Sequence, residues 1–317
     1  MMKCFRNLIT LIVVALVVRV GFAAENASHT GPVAGELRIF TCGHSFHWWM
    51  PGWLKEIEAL TDIKGHNQVG ISAIGGSQVI QHWNLTDDKH KGKEVVATGE
   101  IDVLTLSPRV APDDGIDKFA TLAVEHNPKI RVTVQENWLP FDRLDSFGDK
   151  CYGEQAKTLR DWQDPPLKDP KAKPDTSHFD VPTADQIDKL HVPYFEKMDA
   201  YVAEENKKFG KPVLYIVPVG QAVNALRRKV LEGKVPGITR QSQLFGAALG
   251  HPHAAVEALS GYCHYAVIYR RNPIGLPLLP GLARAHFTPE LNLLLQQLAW
   301  DAVCHHPLSG VTATNSK

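Results

Sequence analysis

The chain has 317 residues, 44% of them apolar, and 34 Lys and Arg balance 34 Asp and Glu for a formal net charge of zero. That is enough apolar material for one large domain with a full core, and the even charge gives no electrostatic footprint for nucleic acid.

Lys3 and Arg6 precede an apolar run over 8–18, followed by small residues at Gly21, Ala23 and Ala24. A positive start, a short apolar stretch and small residues are the layout of a secretory signal peptide. Residues 1–24 are therefore expected to be removed, leaving 25–317 as a single secreted or periplasmic domain. The run is shorter than the ~20 residues of a membrane span and no second one follows, so no stable membrane association is expected after cleavage. Cys4 leaves with the leader; Cys42, Cys151, Cys263 and Cys304 are open to disulfide pairing or to life as buried thiols. Histidine is abundant, but neither H-E-x-x-H nor C-x-x-C occurs, so no metal or cofactor is expected.

Short apolar runs at 37–42, 69–74, 101–106, 130–135 and 213–219 read as strands. A helical pattern at 116–125 separates the third from the fourth. This alternation predicts an α/β fold: a three-layer α/β/α sandwich on a parallel, flavodoxin-like sheet of about five strands. Residues 159–182, with "DPPLKDPKAKPD", are too rich in Pro and Lys for core and are expected to form an exposed excursion. Thr183-Ala184-Asp185-Gln186 has the form of a capping box opening a helix to about 208. A loop His251-Pro252 then leads into a helix stopped by Asn272-Pro273, in which Tyr262, Tyr265 and Tyr269 form a core-facing stripe.

In open α/β sheets the reacting groups sit beyond the carboxyl ends of strands. Ser45, in "CGHSF", lies just past the first. A helix beginning near 47–51 would aim its free amides toward it, and the competing role for Ser45 is to cap that helix. The Gly-x-Ser-x-Gly elbow is not matched, because His47 stands at its second glycine. A serine nucleophile needs a base, and His251, held at a helix mouth after the last strand, is the candidate.

These blocks together resemble the SGNH, or GDSL-type, hydrolases, in the right order from Leu37 to Gly275. "CGHSF" resembles the first block, with Ser45 as nucleophile. "SAIGGS" resembles the second, with Gly75 or Gly76 as an oxyanion amide. "GHPHAAVEALSGYCHYAVIY" resembles the last, with His251 as base. The resemblance implies a secreted serine esterase acting on a small-molecule or carbohydrate ester, acetylated carbohydrate being one such class, with Ser45 and His251 catalytic and Gly76 and Asn137 at the oxyanion.

Three departures stand out. His44 replaces the usual Asp or Asn, and Ser107 stands where the third block has asparagine, leaving Asn137 in "VQENW" as the substitute donor. Upstream of His251, where an acid would orient the imidazole, are Ala247, Ala248, Leu249 and Gly250. A backbone carbonyl, or an acid from another loop such as Asp142 or Asp145, would fill that role; otherwise the chain is a catalytically impaired binding protein of the same fold. His306 is the runner-up base, from "AWDAVCHHPLSGV", in which Asp301 and His305 share a helical face. Trp48, Trp49, Trp83 and Trp138 are wall or core residues near strand ends.

Overall fold

The computed structural model describes residues 33, 35–63, 65–86, 91–142 and 174–313. The expected signal peptide at 1–24, Cys151 and Asp145 lie outside them. Five strands, β1 (Leu37–Gly43), β2 (His66–Ala73), β3 (Val103–Leu106), β4 (Arg131–Gln135) and β5 (Leu214–Val217), form one parallel sheet in the order β2-β1-β3-β4-β5. Parallel strands covered on both faces read as unbroken apolar runs. That is why the central strands were legible. β2, at the edge, begins three residues earlier than its apolar run, because His66 to Gln68 are recruited by backbone pairing with Leu37 to Ile39.

Helices cover both faces. On one side Ile39, Val103 and Val217 pack against α1 (Met50–Glu58), α6 (Val219–Leu231), α7 (Ala254–Tyr269) and α9 (Pro289–His305). On the other, Phe40, Leu104, Val132 and Ile216 meet α2 (Val79–Asn84), α3 (Gly92–Ala97), α4 (Asp114–His126) and α5 (Ala184–Phe209). The short α8 (Pro280–Arg284) completes the first face. The fold is thus a three-layer α/β/α sandwich.

Thr183 caps α5 in the expected reciprocal box with Gln186. α7 buries Tyr262, Tyr265 and Tyr269, as their spacing requires. It stops before Asn272-Pro273, with Arg270 in the left-handed conformation and only 8% exposed. α8 and α9 follow it in the chain. The excursion at 159–182 is described from 174 onward, where Asp175, Ser177 and Val181 are exposed and one residue anchors the segment. There a 3-10 turn, Ser177–Asp180, buries Phe179 completely, and the Asp180 carboxylate accepts hydrogen bonds from the amide and hydroxyl of Ser242. Among the described residues Cys42, Cys263 and Cys304 are free thiols.

Candidate active site

The strand order reverses between β1 and β3, so the crevice that such sheets use for ligands lies at the carboxyl ends of these two strands. Ser45 occupies the turn leaving β1. α1 starts at Met50 with Trp49 as its N-cap, so Ser45 does not cap it. The Ser45 carbonyl instead accepts a hydrogen bond from the Trp49 indole at 2.8 Å, which fixes the turn. Gly43 is obligatory before it, because a Cβ there would approach the His47 ring to 2.5 Å.

His251 reaches the same place from the far end of the chain. Its loop is pinned by a Phe245–Pro252 bridge and by Gly246 donating to the His251 carbonyl at 2.8 Å. Gly250 carries φ +97°, a conformation that disfavours side chains, and its carbonyl accepts from the Trp138 indole at 2.9 Å. The Phe46 ring stacks on Trp138 at 4.6 Å and meets His251 edge-on at 5.6 Å. These supports bring His251 Nε2 to 2.9 Å from Ser45 Oγ, across 206 residues of sequence.

Other expected residues divide. The loop after β2 lies beside the Ser45 turn, because Ile74 donates to the Gly43 carbonyl at 3.2 Å, and Gly76 adopts φ 61° there. Among the described residues, neither the Ser45 nor the Gly76 amide has a hydrogen-bond partner. Asn137 is otherwise engaged: its side-chain amide donates to Ser107 Oγ at 3.3 Å and to the Pro108 carbonyl at 3.0 Å. Both N–H groups are thus spent on Ser107 and Pro108. His306 is not brought to Ser45; it faces Asp199 at 3.1 Å and Glu136 at 3.7 Å. Asp142 makes a two-pronged ion pair with Arg227, at 2.6 and 2.5 Å, which commits its carboxylate elsewhere than His251. Trp138 is fully buried under Phe46 and is core rather than wall.

A buried polar network beneath the turn escaped sequence reading. The Gln135 side-chain carbonyl receives His47 Nδ1 and His264 Nε2, each at 2.8 Å, while its amide donates to the Phe46 carbonyl at 2.9 Å and to Asn137 Oδ1 at 2.5 Å. Burial lowers His47 to about 4 and His264 well below the usual histidine range, so both rings are neutral. With its Nδ1 proton given to Gln135, His47 faces the Thr105 hydroxyl with Nε2, 3.1 Å away. His44 is also buried and neutral: its Nδ1 accepts the Phe46 amide at 3.2 Å, leaving Nε2 to donate to Ser107 Oγ at 3.2 Å. The available signal was Thr and Gln at alternate strand positions on one sheet face, where apolar residues are the norm.

Neither a protein-family model nor a curated relative matches the sequence. Solved structures do. A DUF4886 family protein from Bacteroides uniformis superimposes with a TM-score of 0.50 at 14% identity, covering 89% of this chain and 100% of that one. A protein from Parabacteroides merdae named "putative GDSL-like lipase" gives a TM-score of 0.39 at 12% identity, over 74% of this chain and 95% of that one. The first likeness is one of fold. No helix among the described residues is long and apolar enough to cross a membrane.

Proposed function

We propose that this protein is an exported serine ester hydrolase of SGNH type, with Ser45 as nucleophile and His251 as base. The observation that carries the reading is the 2.9 Å contact between Ser45 Oγ and His251 Nε2 at the reversal point of the sheet. Ser45 Oγ attacks the ester carbonyl carbon while its proton passes to Nε2, and the oxyanion is received by the amides of Ser45 and Gly76. Collapse expels the alcohol, which takes the proton from His251. Water, deprotonated by the same nitrogen, then releases the acid and restores Ser45. Export and the half-buried Trp48 and Trp49 near the serine favour acetylated carbohydrate as the substrate class.

The test is hydrolysis of p-nitrophenyl acetate and acetylated xylan by the purified protein. Ser45→Ala is expected to remove activity by at least roughly a thousandfold and His251→Ala by ~10²–10⁴, with the double variant scarcely worse than either because the pair acts as one unit. Wild-type rates in Ser45→Ala would eliminate the nucleophile assignment. A second reading, a binding protein of the same fold without turnover, is favoured by the absence of an acid from the four residues before His251. It requires that the wild type bind acetylated glycans and hydrolyse none of these esters.

A further inference from the structure

A second group of chemistry-bearing side chains lies apart from Ser45, where α5, α6 and the end of α9 meet. Glu136 follows β4, Asp199 projects from α5 and His306 ends α9. One ligand atom from each lies within 4.8 Å of the others. Donors held ~2.1 Å from a divalent ion stand about 3.0–3.4 Å apart at octahedral or tetrahedral angles. The observed separations of 3.1 Å and 3.7 Å from His306 Nε2 need little adjustment to match.

Two further observations point to a ligand. Glu136 is completely buried, yet its Oε1 has no hydrogen-bond partner, while Gln221 donates to its Oε2. Such a carboxylate is costly unless a proton or a cation answers it, and His306, which faces Oε2, leaves Oε1 unanswered. A cavity of about 380 Å³ opens onto Asp199, Gln221 and His306, floored by Val192, Phe195 and Leu298. Arg228 also lines it, but its guanidinium is paired with Asp188.

We propose that Glu136, Asp199 and His306 bind one divalent transition-metal ion, with Zn²⁺ the best match to one imidazole and two carboxylates, and with open coordination positions facing the cavity. His306 turns Nε2 and its proton toward the two carboxylates, with the Leu308 amide 3.2 Å from Nδ1. The ion takes the place of that proton. The ring then carries it on Nδ1, as metal-bound imidazoles do, and gives up a local hydrogen bond typical of those that contribute ~1 kcal/mol. Glu136 adjoins Gln135, so the ion would sit one residue from the network beneath Ser45.

The test uses tag-free, chelator-washed full-length protein titrated with Co²⁺ and followed by visible d–d absorption, then by displacement with Zn²⁺. One equivalent per chain is expected, with affinity falling at least about tenfold in Asp199→Asn and His306→Gln, because losing a ligand costs at least as much as the roughly 10–100-fold lost when only a group that orients a ligand is changed. The exposed Asp301–His305 pair, 3.1 Å apart one helical turn away, is the obvious surface competitor, and His305→Gln should leave binding intact. No absorption band in the wild type overturns the proposal whatever the variants do. So does binding that survives Asp199→Asn or disappears in His305→Gln. Because the readout is spectroscopic, the result is independent of esterase activity.

Discussion

At the scale of single residues, the serine turn is supported by an interior that is polar where a sandwich is usually apolar. Gln135 is the hinge of that interior. It satisfies two neutral histidines, the Phe46 carbonyl and Asn137 with one side chain. Removing a buried partner leaves the others desolvated and unpaired, at about 1–3 kcal/mol each. Gln135→Leu keeps the volume and strands four groups, so a loss of roughly 3–5 kcal/mol is expected in denaturant unfolding, after some relaxation. Gln135→Glu keeps an acceptor for both rings but sets an oxygen against the Phe46 carbonyl and Asn137 Oδ1, so it too should lose stability. Equal stability of Gln135→Leu and wild type would mean that the network carries no weight. Ser45 and His251 were legible because a serine past a strand and a His-Pro before a helix are positional signals. His264 was not: it sits in the apolar run "GYCHYAVIY" of α7, where only the partner across the core reveals a role. Glu136, Asp199 and His306 come from three distant segments and share no spacing at all.

Among the elements, the sheet could be read closely and the junctions could not. The central strands announce themselves by apolar runs, whereas β2 and the Ser177–Asp180 turn exist because of what they pair with. The contact between α2 and α4 is another such junction, and one residue makes it. Asp113, the N-cap of α4, accepts from Gly115 at 2.9 Å and, from the first turn of α2, from Val79 at 2.6 Å and Ile80 at 3.0 Å. Gly115 permits the approach, since a Cβ there would lie 2.2 Å from the Ile80 nitrogen. One carboxylate therefore caps two helix starts, and a cap is worth ~1 kcal/mol, up to about 2. Asp113→Ala is expected to cost roughly 2–4 kcal/mol, and Asp113→Asn, which keeps one acceptor, about half as much. Hydrogen exchange should show α2 opening in the alanine variant well below the global transition; protection unchanged in α2 would refute the shared cap.

For the whole molecule, the count of buried histidines sets the response to acid. Burial lowers His47 and His191 to about 4 and His44 and His264 well below the normal range. His191 is held neutral by donating from Nδ1 to the Ile187 carbonyl at 2.9 Å and accepting the Leu139 amide at 3.1 Å. A folded value below the unfolded one means that the unfolded chain takes up more protons as pH falls through about 6.5, so stability is full above that pH and drains toward 4. His47 and His191 each contribute up to about 3 kcal/mol of this loss. Two buried acids work the other way, burial pushing Asp113 up to about 6 and Glu136 up to about 7, and they gain stability on protonation over nearly the same range. Each offsets about one histidine by the same conversion. His306 stays out of the balance: burial pulls it down, but Asp199 and Glu136 hold it up at about 9, so its share is lost only as pH rises above 6.5. What remains below pH 6.5 is chiefly the contribution of the fully buried His44 and His264, since the less buried His66 and His253, lowered by burial, are set against Glu205 and Glu257, raised by it. Calorimetry from pH 7 to pH 4.5 is therefore expected to show a falling Tm and a net loss on the order of a few kcal/mol. His264→Gln, which keeps a donor toward Gln135 without a titrating ring, should begin lower at pH 7 and fall more gently. A wild-type Tm that holds steady or rises across this range would mean that the acids outweigh the histidines and that the rings are not held neutral in the fold.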